Sequence, residues 1–252
     1  MDPVNIFDFE TIARERLPKE EYDYIAGGAT DELSVERNRR AFESWALRPR
    51  VLRDVSRLDI STTVLGTKVD LPVLIAPCGG HKKAHPDGEF ATYRAAASRG
   101  TILAVSANSS TSFENLAQSA SGALWVQLYP FRDKEMLTNW LNRAKRAGYK
   151  AVCVTLDSQW PPKRERNIRN NYKRVRGVNY PPAGGAAGAP RLGARAVFIG
   201  RPLFWGLAAD GEHGVARVLD ILKEEIEITM AKCGRPTIAD IDASVVVKAP
   251  RL

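Results

Sequence analysis

The strongest constraint on the fold is an alternation that starts at residue 71, runs for four cycles and then stops. Residues 71–76, Leu-Pro-Val-Leu-Ile-Ala, form a short apolar run, as a strand buried on both faces of a parallel sheet requires. Similar runs occupy 101–106, 124–128 and 151–156. Helical stretches separate them: 86–98, opened by Pro86 and followed by Gly100, then 112–120 and 133–147,. This is the pitch of βα units, with parallel strands inside and helices outside. A fifth unit comes much later. It has a strand at 196–199 and an amphipathic helix at 212–232, with Gly234 just past its end,.

Between the fourth and fifth units the strand signal disappears. Pro161 and Pro162 precede a basic run, and 181–190 is a low-complexity Pro/Gly/Ala stretch,. Five strands are visible, whereas a (β/α)8 barrel has eight. About three units, on the order of 90 residues, are therefore absent. The reading is an incomplete barrel in one domain over 1–252. An N-terminal helical segment covers 1–65, barrel units one to four cover 71–171, a flexible loop covers 172–192, and the closing unit and C-terminal helix cover 193–252. In the first segment, Asp8 is expected to cap a helix at 9–17. A second helix at 20–26 is stopped by Gly27 and Gly28, and a third spans 31–42,. Strands one and eight can pair into an open five-stranded sheet, leaving strands four and eight as unpaired edges.

Composition removes several classes. The chain is 44% apolar and 26% charged, ordinary for a globular protein. No apolar run approaches the ~18 residues of a membrane span, and the N-terminus lacks a secretory pattern. Cys78, Cys153 and Cys233 are far apart and without metal-ligand spacing, so reduced thiols and a cytoplasmic setting are expected, with no metal. The C-terminal Ala-Pro-Arg-Leu only weakly resembles a peroxisomal signal. Net charge is +8, and residues 163–176 hold seven basic side chains against Glu165. A nucleic-acid partner is one reading of that run. A solvated loop with one or two arginines serving an anion is the preferred one, because no nucleic-acid motif accompanies it.

In parallel α/β proteins, ligands sit at the carboxyl ends of strands. Here those ends carry Pro77-Cys78-Gly79, Ser106, Gln127-Leu128-Tyr129 and Thr155-Leu156-Asp157. Ser, Gln and Thr can hydrogen-bond the edge of a flat heterocycle. A glycine turn lets backbone approach it. The last strand ends Gly200-Arg201-Pro202, a backbone donor plus a guanidinium fork suited to phosphate.

With Tyr22-Asp23-Tyr24, Gly28-Ala29, Arg48-Pro49-Arg50, Ile75-Ala76-Pro77, Ala84-His85-Pro86 and Phe198-Ile199-Gly200-Arg201-Pro202, the chain resembles the FMN-dependent 2-hydroxy-acid oxidase and dehydrogenase family. That family includes glycolate-, lactate- and mandelate-oxidising enzymes. The resemblance implies that Pro77, Cys78, Gly79, Ser106, Gln127 and Thr155 hold the flavin ring of FMN, and that Gly200 and Arg201 hold its phosphate. It implies that Tyr24 and Arg164 bind the carboxylate of a small (S)-2-hydroxy acid and that Tyr129 contacts its hydroxyl. Oxygen or another acceptor would reoxidise the flavin, and homo-oligomerisation is open.

The resemblance also identifies what is missing. Family members place a lysine on strand five, a catalytic histidine and second arginine in a His-Gly-Gly-Arg stretch after strand six, and an Asp-Gly-Gly phosphate segment after strand seven. None occurs here. The three histidines are His81, His85 and His213, and none matches the base. His81 reads as a surface histidine near the ligand end. Asn108 stands where many of these oxidases carry an aromatic residue. Activity is expected to be impaired or absent, with a non-catalytic flavin- or phosphate-binding remnant as the alternative.

Overall fold

The structure is a computed structural model and describes residues 2–129, 133–156, 162–173, 177–179 and 196–249. Helix α1, Ile6–Arg16, starts one turn earlier than the sequence suggests. Asn5 is the cap: its side chain accepts from the amides of Phe7 and Asp8 at 2.8 and 3.0 Å, while Asp8 accepts from the Asn5 amide at 3.3 Å. Asp8 thus completes a capping box instead of opening the helix. Helices α2, Lys19–Ala26, and α3, Leu33–Arg40, follow.

The first 65 residues are not wholly helical. Strand β1, Trp45–Leu47, and the hairpin β2–β3, Thr62–Val64 and Thr67–Val69, also lie before or across that boundary. Strand β1 pairs with a segment about 200 residues away, a contact that local pattern does not carry.

The alternation folds as expected. Strand β4, Val73–Ile75, leads to α4, Glu89–Ser98; β5, Ile102–Ser106, to α5, Phe113–Ala117; β6, Ala123–Leu128, to α6, Lys134–Arg146; and β7, Ala151–Val154, to the short α7, Glu165–Arg169. Pro86 lies in the turn before α4, whose N-cap is Gly88. Strand β8, Val197–Ile199, opens α8, Arg201–Lys232, and β9, Val246–Lys248, returns antiparallel to β1. Helix α8 joins a first helical stretch, which follows β8 directly, to the expected helix at 212–232. It bends at Asp210–Gly211, where Gly211 has φ +53°, a conformation that favours glycine.

The main sheet has the order β7-β6-β5-β4-β8 and is parallel throughout. In barrel terms these are units four, three, two, one and eight, an open half-barrel. Side chains alternate across it. Val73, Ile75, Leu103, Val105, Leu124 and Val126 pack on the helix layer, including Trp140, Leu203, Leu207 and Leu219. The opposite, concave face carries Leu74, Ile102, Ala104 and Trp125, with Val69 of the hairpin packed among them. Helix α1 and α2 residues Phe9, Ala13, Tyr22 and Ile25 form another cluster with Phe204, Trp205 and Val218 of α8. Within the stretch expected to be a loop, the Val178 amide bonds Ser109 O at 2.9 Å and Asn179 receives the Trp140 indole N–H at 2.8 Å. Residues 180–192 lie outside the described residues.

Candidate functional site

Alternation places Ser106, Gln127 and Thr155 on the concave side at the carboxyl ends of three neighbouring strands. Ser106 is opposite Gln127 in the β5–β6 ladder. Past β7, the Thr155 amide extends the next ladder to Leu128 O at 2.9 Å. The three side chains are joined. Gln127 Oε1 accepts from Ser106 Oγ and the Ala107 amide, both at 3.3 Å, and its Nε2 donates to Thr155 Oγ1 at 2.7 Å. Gln127 keeps one amide hydrogen and Thr155 its hydroxyl hydrogen for a ligand edge. Tyr129 stands just past β6, half-buried, and Asp157 lies outside the described residues.

Pro77, Cys78 and Gly79 form the turn after β4. A Cβ at Gly79 would come within 2.8 Å of the Asn108 side chain and 3.1 Å of its carbonyl, so the turn and the β5 end approach as closely as backbone allows. Burial pushes the Cys78 thiol up to about 12, opposed in part by Arg201; it stays protonated and is no nucleophile at neutral pH. Asn108 is covered by Gly177, where a Cβ would lie 2.2 Å from its backbone.

Gly200 and Arg201 open α8. No side chain caps this terminus; Pro202 has no N–H and the Leu203 amide bonds Gly200 O at 3.1 Å, so the group that suits an anion here is Arg201. Cys78, Gly200 and Arg201 share a cavity of about 870 Å3 with Ile25, Phe42 and Phe198. The polar row and the helix terminus therefore fit FMN in donor type, and both lie at carboxyl ends of strands in one sheet.

The arginines, however, already have partners. Arg164 donates to Tyr24 O and Gly27 O, both at 2.9 Å. Arg201 donates to Ile25 O at 3.0 Å and Gly27 O at 3.3 Å. Both cations meet the C-terminal carbonyls of α2, the negative end of its dipole. Arg164 also sits 5.2 Å from the Tyr24 ring centroid, so the expected carboxylate pair is brought together.

Three residues here escaped the sequence reading. Tyr172 stacks on Tyr24, with centroids 4.7 Å apart and planes 17° apart. Lys83 Nζ lies 4.1 and 4.5 Å from the two ring centroids and donates to Tyr172 Oη. Glu21 accepts from Tyr172 Oη at 2.9 Å and lies 3.7 Å from Lys83; burial raises its pKa against the pull of Lys83. The Lys83–Ala84–His85 run offered a weak signal for Lys83, while Tyr172 had none.

His81 is 1% exposed, which corrects its reading as a surface histidine. Its Nδ1 is 3.0 Å from Thr92 Oγ1, and its ring meets Phe204 edge-on at 5.2 Å. It faces the helix layer because a 3-10 turn at His81–Lys83 rolls it under α4. Burial lowers its pKa, although Glu89 and the Cys78 carbonyl pull the other way. Glu89 accepts from the Ser110 and His81 amides at 2.7 and 3.3 Å. Burial opposes its charge, but His81 and these amides prevail and hold its pKa below the usual range. His85 packs against Gly211 in the bend of α8, and His213 is exposed on that helix.

Three of the seven cations in the basic run have acidic partners among the described residues. Arg166 pairs with Asp23 at 3.3 Å and Glu32 at 2.6 Å, Arg169 with Glu165 at 2.7 Å, and Lys163 with Glu165 at 3.5 Å. Among the described residues, no helix is long and apolar enough to cross a membrane.

A parallel βα half-barrel with a polar row and an uncapped helix terminus at its strand ends falls in the class of barrel folds whose ligand sites lie at that rim. The chain belongs to the FMN-dependent dehydrogenase family, whose model matches residues 13–183 and 186–248. It is 32% identical to glycolate oxidase 1 of Oryza sativa subsp. japonica, over 98% of this chain and 97% of the relative. It is 32% identical to a peroxisomal (S)-2-hydroxyacid oxidase of Arabidopsis thaliana, over 94% of each. Among solved structures it resembles mandelate oxidase with (S)-2-phenylpropionate (TM-score 0.89, 27% identity, 98% of this chain and 99% of that one). An active mutant of (S)-mandelate dehydrogenase gives TM-score 0.88 at 27% identity, over 98% and 100%. The rice alignment runs over 357 positions, more than the 252 residues of this chain, so it crosses a long gap. The family match breaks between 183 and 186, inside the low-complexity stretch.

Proposed function

We propose that this chain is a 2-hydroxy-acid oxidoreductase of its family that keeps flavin recognition and has lost turnover. The observation that carries this is the intact Ser106–Gln127–Thr155 row in a sequence whose three histidines all belong to the helix layer or the surface. Bound FMN supplies the two-electron acceptor. Gln127 and Thr155 would hold its ring edge, the Pro77–Cys78–Gly79 turn would lie against it, and Gly200 with Arg201 would take its phosphate. Tyr24 and Arg164 would bind the carboxylate of a small hydroxy acid such as glycolate, lactate or mandelate, with Tyr129 at its hydroxyl.

Oxidation removes the α-hydrogen and the hydroxyl proton from such an acid. A base within hydrogen-bond reach is required, and its loss costs ~10²–10⁴-fold in rate. His81 cannot substitute, because it faces Thr92 and Phe204. The basic run carries no nucleic-acid motif, and Arg166 and Arg169 in it are paired with acids, which disfavours a nucleic-acid role. The three free cysteines suit a reducing compartment, cytosol or peroxisome.

Fluorescence titration with FMN tests the reading, with riboflavin as the comparison lacking phosphate. Saturable quenching by FMN, weaker with riboflavin and weakened for FMN by R201A, is expected. No binding of either flavin would overturn it.

A further inference from the structure

The half-barrel ends in two open edges. Among the described residues, no strand pairs with the outer edge of β7 or of β8. Such edges normally carry a charge, a proline or a cover that blocks association. Here β7 reads Ala-Val-Cys-Val and β8 reads Val-Phe-Ile, with no charge and no proline in either. Val152, Val154 and the following Leu156 are 45, 50 and 37% exposed, and Val197 and Phe198 are 55 and 46% exposed.

We propose that these two edges are the interface of a homodimer, in which β7 of each copy pairs with β8 of the other. Polarity supports a second copy as the occupant. Because the sheet is parallel throughout, a two-fold axis along the strands keeps every strand pointing the same way. One rotation then makes both junctions and closes a ten-stranded ring. Closure matters, since an open repeat of the same contact would grow a filament. A foreign partner would have to present both complementary edges at this spacing, whereas a second copy has them by construction.

Area sets the strength. Covering the five apolar side chains removes roughly 400 Å2 per copy, about half of the ~800 Å2 that each partner contributes to a standard interface. Strand backbones and flanking turns add to this, and the +8 charge of each copy opposes it at low salt. The expected result is a concentration-dependent dimer at physiological ionic strength.

Sedimentation equilibrium over a wide concentration range tests this, with Val154→Lys and Val197→Lys as edge variants. The wild type is expected to move from 27.8 kDa to twice that mass. Each lysine should hold the chain at the monomer mass with its helical circular dichroism unchanged. If the lysines disturb folding, hydrogen exchange of the wild type decides: the amides of β7 and β8 should gain protection as concentration rises. A wild type that stays monomeric, an open-ended series of larger species, a dimer indifferent to both lysines in folded variants, or edge amides unmoved by concentration would each overturn the proposal.

Discussion

Arg164 and Arg201 share one acceptor, the carbonyl oxygen of Gly27, at 2.9 and 3.3 Å. The first is the expected ligand of a substrate carboxylate and the second of a flavin phosphate. Both arrive at the C-terminus of α2, whose carbonyls act as a partial negative charge. Each guanidinium has five N–H groups and spends two of them here, so both keep donors for an anion. The two arginines are therefore held side by side by one short helix.

The shared carbonyl makes a stability test possible. Arg164→Ala and Arg201→Ala should each cost about 1–2 kcal/mol, since each removes two hydrogen bonds to neutral carbonyls. The double variant should deviate from the sum, because each remaining arginine can take over Gly27 O. Urea unfolding of the four proteins measures this.

Gln127 is the central link of the polar row and is 2% exposed. Gln127→Ala leaves the Ala107 amide, Ser106 and Thr155 short of a partner. A loss of roughly 2–3 kcal/mol in unfolding free energy is expected, with flavin quenching abolished. Thr155→Val, at the half-buried end of the row, should weaken quenching with a smaller loss of stability.

His81 gives a pH dependence with a definite sign. Burial holds its folded pKa below the ordinary value, which is about 6.5 in the unfolded chain. Between those two values the unfolded state binds the extra proton. Stability should therefore fall as pH drops below about 6.5, with a slope approaching ~1.4 kcal/mol per unit. Glu89, whose folded pKa is lowered, adds a second loss below its unfolded value of about 4.3. Urea unfolding from pH 8 to pH 5 should show the first slope in the wild type and a flatter line in His81→Gln.

Cys78 and Cys153 both have thiols raised by burial, Cys78 to about 12. A thiol-specific reagent at pH 8 should modify both far more slowly than a free cysteine, and urea should abolish the difference.

Much of this was legible in the residues. The apolar runs from Leu71, Thr101, Leu124 and Ala151 became β4 to β7 with small boundary shifts. The carboxyl ends of those runs located Ser106, Gln127 and Thr155, which the fold joins in one row. The misses have a common cause in distance along the chain. Strand β1 forms against β9, and Tyr172 stacks on Tyr24; neither pairing leaves a local trace. His81 was misread because the 3-10 turn that buries it has no hydrophobic periodicity. Arg164 stands out in the sequence only through the family resemblance, and its bonds to α2 depend on where that helix ends in space.

The central claim is that recognition of flavin survives while turnover does not. Anaerobic mixing of the FMN-loaded chain with glycolate, lactate or mandelate, followed by flavin absorbance, tests it most directly. The flavin spectrum is expected to stay oxidised with all three acids. Bleaching by any of them at the rate of a working oxidase would contradict it.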